Sequence, residues 1–459
     1  MPKKNGQIVL GVAVSLIFLA FVMFLNVSEA PLEILPLILL LAPIVFVITF
    51  INTDVALILL IFSMLLSPEL KIADVPQRAV VLRVDDILLF VVFFSWLAKM
   101  AINKQLGLFK RTPLNLPIAA YILVCILSTG IGIIGGTINP LKSSFYILKY
   151  IEYFMLFFMV TNNIRSKEQI KTFIIVFLIT CALVCTYAIV TVGQAGRGTA
   201  PFEGPQGEPN TLGGYLILLF AISAALFLYG PSRAWRFCCG ALACFIFITL
   251  LQTLSRGSYM AFIPMFLILI VLTKRKRIML IGILILGIFI LPAILPARVT
   301  ERVTSTFQPG TVYEAFGKRI ALDQSAATRI ESWKDVFGKW VKRPFLGYGV
   351  TGVGLVDTQY PRVLGETGII GFWIFIWLLI TILKNTIQVF NGVNDDWYKG
   401  LVMGFIAGFI GLTVHCFAAN TFIIVRIMEP FWFLTAIVIM LPHLRAEKDE
   451  LQKIQLKVL

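Results

Sequence analysis

The chain has 459 residues, of which 59% are hydrophobic and 14% charged, with a formal net charge of +15. Its mean hydropathy of +0.91 excludes an ordinary soluble domain, because too few polar residues are present to cover so large an apolar core. All 7 cysteines lie in or beside apolar runs, which favours buried thiols and excludes a disulfide framework or a metal site based on cysteine spacing.

The apolar runs are about 17–22 residues long, enough to cross a hydrocarbon layer of ~30 Å as helices. They are too long and too rich in Leu, Ile and Phe for barrel strands, so the sequence predicts an all-α integral membrane protein, a polytopic bundle of about 12–14 transmembrane helices. The predicted spans are 8–26, 32–50, 54–67, 85–101, 115–135, 141–161, 170–192, 211–229, 236–254, 258–273, 278–296, 365–383, 400–418 and 428–443.

The loops between these spans predict the topology of the chain. Lys and Arg concentrate in alternate short loops, which predicts that these loops and both termini face the cytoplasm. The protein is accordingly expected in the inner membrane. Four parts follow: helices 1–11 with short loops over 1–296, one large outer loop at 297–364, helices 12–14 over 365–443, and a cytoplasmic tail at 444–459. The first apolar run is longer than a signal-peptide core and is predicted to stay as an anchor.

The large loop carries ten basic and six acidic residues, a net +4 (ten minus six), on the outer face. An anionic ligand explains this excess, and a surface facing solvent or lipid headgroups is the alternative. Residues 325–342 have Trp333, Phe337 and Trp340 on one helical face, which predicts an amphipathic helix at the membrane interface. This helix either roofs a cavity or packs on top of the bundle.

Ionisable residues inside the spans are candidates for function, because each costs about 2.5–3.5 kcal/mol to insert. Lys149 and Glu152 share one helix face at i, i+3, so they either pair with each other or line a polar cavity. His415 lies near the outer end of the thirteenth span, followed by Arg426. It either satisfies one buried partner or takes part in a substrate site.

Several arginines lie near outer ends of the spans. Arg83 opens the fourth span, Arg197 lies in a loop that leads to Asn210 at the start of the eighth, and Arg256 occupies a very short turn. Arginine suits bidentate contacts to phosphate and keeps its charge in a low dielectric. Together these residues predict a binding site for a diphosphate. Each arginine taken alone could equally be a positive charge that fixes the membrane topology.

Five motifs occur in a fixed order around the large loop. They are Asn210-Thr211-Leu212-Gly213-Gly214-Tyr215, Ser255-Arg256-Gly257-Ser258-Tyr259, Arg329-Ile330-Glu331-Ser332-Trp333, Pro344-Phe345-Leu346-Gly347-Tyr348-Gly349 and Leu364-Gly365-Glu366-Thr367-Gly368. In this arrangement the chain resembles the bacterial O-antigen ligase and O-antigen polymerase superfamily, most clearly over residues 200–430.

The resemblance implies a C-type glycosyltransferase fold with one large periplasmic loop and its active face in the periplasm. It implies transfer of a glycan from an undecaprenyl-diphosphate carrier to a glycan or lipid acceptor, without a metal, cofactor or nucleotide sugar. Arg256 and Arg329 would hold the diphosphate. Ligases of this family carry His three residues before the loop tyrosine, here Tyr360, and Asp357 stands in that place.

The Asp357 substitution favours a polymerase of O-antigen or exopolysaccharide repeat units over a ligase to lipid A core. Asp357 or Glu366 is the expected base in an inverting transfer, with arginines stabilising the leaving group. Membrane lipids and chain-length regulator proteins are expected partners, and nucleic acid is not. A lipid-linked glycan transporter is the competing class, although no repeated halves are visible.

Overall fold

The computed structural model is a bundle of long helices joined mostly by short loops. It describes residues 35–75, 78–103, 109–203, 207–274, 276–294, 297–304, 311–315, 318–322 and 324–458. The predicted first span at 8–26 lies outside these residues. Within the described part of the chain are fifteen helices and two antiparallel hairpins.

The helices and hairpins are numbered in chain order. The helices are α1 Leu35–Ile51, α2 Thr53–Leu66, α3 Val84–Ile102, α4 Asn115–Ile134, α5 Pro140–Asn163, α6 Lys167–Ala195, α7 Pro209–Tyr229, α8 Arg233–Gln252, α9 Arg256–Leu272, α10 Arg277–Ile294, α11 Ala297–Thr304, α12 Gln324–Trp340, α13 Gln359–Gly392, α14 Asp396–His415 and α15 Val425–Val458. The hairpins are β1 Glu69–Val75 with β2 Arg78–Arg83, and β3 Thr311–Ala315 with β4 Lys318–Leu322.

Eight of the described helices are long and apolar enough to cross a membrane, and four shorter helices are also apolar. The predicted all-α polytopic class is therefore confirmed. The bounds differ most in two places: the helix predicted at 365–383 begins at Gln359 and runs to Gly392, and α15 continues as a helix through the predicted tail to Val458. Large apolar side chains such as Ile134 and Phe289 are exposed on the outer faces of the bundle, as lipid contact requires.

The centre of the bundle is α7, which packs against α8, α9 and α14. Glycines on one face of α14 allow the close approach to α7, because any side chain there would overlap the neighbouring helix. A Cβ on Gly404 would lie 2.6 Å from Ile222 Cα, and one on Gly408 would lie 2.8 Å from a Leu218 methyl group. Small residues at such crossings let membrane helices pack backbone to backbone.

A break in α13 holds the end of the large loop against the bundle. Gly368 has φ 65° and ψ −169°, a conformation essentially restricted to glycine. A Cβ there would lie 2.2 Å from the carbonyl oxygen of Phe345. The amide of Ile369 donates to Pro344 O at 2.8 Å, so the chain that follows α12 folds back onto the first turns of α13.

The helix α12 packs against α13, and the indole N–H of Trp333 donates to Thr358 Oγ1 at 2.7 Å, just before α13 begins. The predicted amphipathic helix at 325–342 corresponds to this element. Its contacts with α13 place it beside the amino ends of α7 and α9, where Arg329 lines a cleft together with residues of both helices.

Candidate active site

Four arginines from four separate segments line one cleft of about 170 Å³. Arg197 follows α6, Arg256 begins α9, Arg302 lies in α11 and Arg329 lies in α12. The remaining lining residues are Pro209, Asn210, Ser255 and Gly257. Within the described part of the chain, every residue that lines the cleft is basic or uncharged. The cleft is therefore suited to an anion.

The amino end of α9 forms one wall of this cleft. Ser255 caps the helix by accepting a hydrogen bond from the amide of Ser258 at 3.2 Å. Arg256 and Gly257 are the first two helical residues, so their backbone amides lie at the positive end of the helix dipole. A Cβ on Gly257 would lie 2.4 Å from Ala418 Cβ, so glycine lets this turn pack against the segment that follows α14.

Arg197 is held in place by the turn that precedes α9. Its Nη2 donates to the carbonyl oxygen of Leu254 at 2.7 Å, and Leu254 has a positive φ of 50°. Burial lowers the pKa of Arg197, and the nearby positive charges of Arg302 and Arg256 lower it further. Guanidinium groups thus repel one another across the cleft, and a bound anion would relieve this repulsion.

His415 lies behind the cleft rather than in its wall. It is fully buried at the end of α14, and its Nε2 is 3.2 Å from Ser258 Oγ. Gly214 of α7 lies beside the ring, and a Cβ there would lie 2.5 Å from Ile427 Cδ1, so glycine lets α7 pack closely at this point. His415 therefore contacts the Ser255-Arg256-Gly257-Ser258 motif at Ser258, a contact that the sequence did not predict.

Arg83, Lys149 and Glu152 lie in a second group of charges, away from the cleft lining. Arg83 Nη2 lies 2.8 Å from Asp85, 3.3 Å from Asp86 and 3.8 Å from Glu429. Lys149 pairs with Asp86 and lies 3.2 Å from Glu152, the pairing that their i, i+3 spacing predicts. These six side chains, Arg83, Asp85, Asp86, Lys149, Glu152 and Glu429, form what we call the buried charge network.

Arg426 and Tyr360 make contacts with the backbone of the bundle. Arg426 Nη1 donates to Pro201 O at 2.6 Å and to Leu65 O at 3.1 Å, and Nη2 donates to Ser67 O at 3.2 Å. The hydroxyl of Tyr360 donates to Thr413 O at 2.8 Å. Neither residue is among those that line the cleft, so both join segments of the fold.

The two carboxylates expected as bases differ in their surroundings, and neither is among the residues that line the cleft. Asp357 is exposed, in the segment just before α13. Glu366 is buried; it accepts from Arg362 Nε at 3.0 Å and from the amide of Thr351 at 2.8 Å. The Glu366 side chain therefore ties α13 to the loop before it.

Arg302 is the cleft residue that the sequence did not single out. It was visible only as one of ten basic residues in the large loop, since no recognised motif contains it. The short helix α11 brings it to the cleft. This helix has only eight residues, so its hydrophobic periodicity is too short to predict it from the sequence alone.

Comparison with known proteins bears on the same region. A family model described as O-antigen ligase matches residues 241–376. The matched stretch runs from within α8 to within α13 and includes Arg256, Arg302 and Arg329, three of the four cleft arginines. No curated protein matches the chain. The family match confirms the resemblance that the ordered motifs predicted, and with the apolar helices it supports a membrane protein with a glycan-processing function.

Proposed function

We propose that this chain, which resembles the O-antigen ligase and polymerase superfamily across residues 241–376, transfers a glycan from a lipid diphosphate to an acceptor hydroxyl. The donor would be an undecaprenyl-diphosphate-linked oligosaccharide at the periplasmic face of the bacterial inner membrane. The observation that carries the proposal is the convergence of four arginines on one cleft.

The cleft has the chemistry that a diphosphate requires. Guanidinium groups form paired hydrogen bonds to phosphate oxygens and keep their charge in a low dielectric. The amino end of α9 adds backbone amides to the same wall, a common arrangement for phosphate binding. The cleft lies among helices whose apolar outer faces suit a lipid carrier.

In the proposed reaction the acceptor hydroxyl oxygen attacks the anomeric carbon of the donor sugar. The bond from that carbon to the diphosphate oxygen breaks, its electron pair stays on the diphosphate, and the hydroxyl proton passes to a base. Attack from the face opposite the leaving group inverts the anomeric centre. The diphosphate gains negative charge in the transition state, so arginines already placed around it lower the barrier.

We assign the proton to Asp357, because Glu366 already accepts from Arg362 and Thr351. Asp357 is exposed and does not line the cleft that would hold the diphosphate. Most of the rate enhancement in this proposal therefore comes from stabilising the leaving group, and Asp357 mainly orients the acceptor.

We propose a polymerase that extends O-antigen or exopolysaccharide repeat units, with another lipid-linked glycan as acceptor. The argument is the Asp357-Thr358-Gln359-Tyr360 sequence, in which Asp357 occupies the position of the ligase histidine. A ligase acting on lipid A core is the alternative reaction of the same site. The two differ in the acceptor, so supplying each acceptor in turn to the purified protein distinguishes them.

The test is glycan transfer by protein reconstituted in liposomes with undecaprenyl-diphosphate-linked oligosaccharide and followed by product length. Removal of one preorganised donor to a developing charge typically costs about 10²–10³ in rate, so Arg256→Ala and Arg329→Ala should each lose at least that much. Arg256→Lys should stay impaired, because an ammonium group cannot make the paired contacts.

Arg298 provides the matched control, since it is exposed, lies in the same short helix as Arg302 and does not line the cleft. Arg298→Ala should transfer normally, whereas Arg302→Ala should not. Undiminished product from both Arg256→Ala and Arg329→Ala would refute the proposal. Movement of the donor across the vesicle membrane without a new glycosidic bond would instead identify a transporter. Added chelator should leave transfer unchanged.

A further inference from the structure

A chain of hydrogen bonds runs from the cleft into the centre of the bundle. Asn210 Oδ1 accepts from Ser255 Oγ at 2.6 Å, and Ser258 Oγ donates to Ser255 Oγ at 2.8 Å. His415 Nε2 lies 3.2 Å from Ser258 Oγ, and His415 Nδ1 lies 2.8 Å from Thr421 Oγ1. The four inner residues are buried, with at most 2% of their surface exposed.

The direction of this chain follows from the Asn210 oxygen, which faces Ser255 and can only accept, because each hydroxyl has only one hydrogen to donate. Ser255 uses its hydrogen on Asn210, and Ser258 uses its hydrogen on Ser255. Ser258 must therefore accept from His415, which requires the tautomer with the hydrogen on Nε2. Nδ1 of that tautomer is an acceptor, and Thr421 is placed to donate to it.

The same chain supports the Asn210 amide in the orientation that the structure shows, with its oxygen toward Ser255. The two ends of an asparagine amide have nearly equal shape, so its hydrogen bonds decide which end faces which way. The oxygen of Asn210 is turned toward Ser255, and its Nδ2 group, with two hydrogens to donate, is left for the cleft that Asn210 lines. An amide turned the other way would present an acceptor to an anion.

Two glycines of α7 make room for this arrangement. A Cβ on Gly213 would lie 1.9 Å from Ser258 Oγ, and a Cβ on Gly214 would lie 2.5 Å from Ile427 Cδ1 and 3.4 Å from the His415 ring. Any larger residue at position 213 would displace the serine that links His415 to Ser255. The Asn-Thr-Leu-Gly-Gly sequence therefore places the Asn210 amide at the cleft. One turn further along the helix, its glycines leave space for the residues that support this amide.

We infer that His415 is a positioning residue that acts on Asn210 through Ser258 and Ser255. It keeps the Nδ2 group of Asn210 turned toward the cleft, where this group donates a hydrogen bond to a diphosphate oxygen. This inference rests on the proposed function for the identity of the anion. Asn210 supplies a neutral donor beside four arginines, so it adds a hydrogen bond to the ligand without adding to the repulsion among the positive charges.

The test uses inorganic diphosphate as a probe of the purified full-length protein, with the dissociation constant measured by calorimetry. A hydrogen bond to a charged group corresponds to about a 10-fold to 100-fold change in affinity, so Asn210→Ala should weaken binding by that factor. His415→Ala should weaken it by about 10-fold. His415→Gln, which keeps a donor for Ser258, should recover most of this loss.

The double variant Asn210→Ala with His415→Ala separates positioning from a general effect on the fold. If His415 acts through Asn210, the double variant should bind as weakly as Asn210→Ala alone, because interacting residues are not additive. Additive losses, or unchanged binding by His415→Ala, would overturn the inference. Should His415→Ala fail to fold, Ser258→Ala interrupts the same chain with a smaller change and carries the same expectations.

Glycan transfer measured in parallel distinguishes the two proposals. The unaltered protein could transfer glycan while Asn210→Ala and His415→Ala reduce diphosphate binding additively. That result would overturn only the positioning role of His415. Absence of transfer overturns the proposed reaction, and the diphosphate titrations then still decide whether His415 orients Asn210 toward an anion.

Discussion

The buried charge network is unbalanced, and this imbalance makes it sensitive to the loss of a basic side chain. It contains two basic groups and four carboxyl groups, a formal charge of −2 (two minus four) when all are ionised. Arg83 contacts three of the four carboxyl groups, and 7% of its side chain is exposed. Replacing Arg83 by Met keeps the length of the side chain but leaves −3 (one minus four).

We expect Arg83→Met to destabilise the protein by about 3–5 kcal/mol, the usual loss when one partner of a buried ion pair is removed. The uncompensated carboxyl groups must then take up protons or admit water. The measurement is the free energy of unfolding in detergent micelles, from denaturant titration at neutral pH. The loss should shrink as the pH is lowered, because protonation removes the unbalanced negative charge.

Glu429→Gln is the matched control within the same network. It changes the formal charge from −2 to −1 (two minus three) while keeping the shape of the side chain, and Glu429 is the most distant of the carboxyl groups paired with Arg83, at 3.8 Å. We expect a smaller loss than from Arg83→Met, because removing this carboxylate reduces the unbalanced negative charge whereas removing Arg83 increases it. Equal losses from Glu429→Gln and Arg83→Met would refute the charge argument and attribute both effects to packing.

Three further predictions concern the backbone and the base. Gly404→Leu should destabilise the protein by at least about 1–3 kcal/mol, because the new side chain would overlap Ile222. Gly282→Ala should leave the stability unchanged, since nothing lies within 4 Å of a Cβ at that position. The melting temperatures of the two variants in detergent test this difference. Gly368→Ala should cost about 1–3 kcal/mol for its backbone conformation alone, measured by unfolding. Asp357→Asn should lower glycan transfer by less than Arg256→Ala does, because Asp357 mainly orients the acceptor, and it should leave diphosphate binding unchanged. Normal transfer by Asp357→Asn would show that Asp357 has no part in the reaction.

The helices were predictable because each apolar run is long enough to span lipid, and the helix bounds then follow from caps and glycines. Ser255 and Asn139 cap α9 and α5 with side-chain hydrogen bonds, and Gly196 ends α6 in a left-handed conformation. The two hairpins were not predicted. Their strands are five to seven residues long, and such short alternation in polar loops resembles ordinary connections.

The site was predictable residue by residue only where a charge stood in an unusual place. Arg197, Asn210, Arg256 and Arg329 were each chosen for that reason or for the motif around it, and the structure brings all four to one cleft. Sequence reasoning could not separate them from Arg83, which is also an arginine near the outer end of a span. The difference depends on which side chains lie across from each arginine, and that depends on helix packing.

The surroundings of the arginines distinguish the two charged regions of the molecule. Arg83 and Lys149 lie among carboxyl groups, and Arg426 contacts backbone carbonyl groups and lies 3.9 Å from Glu203, so the protein itself solvates these charges. The cleft arginines come from four separate segments and share a space whose lining also includes an amide and a helix amino end. The positive charges of Arg302 and Arg256 lower the pKa of Arg197, so these groups repel one another across the cleft. A bound anion would offset this repulsion, which is the electrostatic reason to expect the cleft to bind a diphosphate.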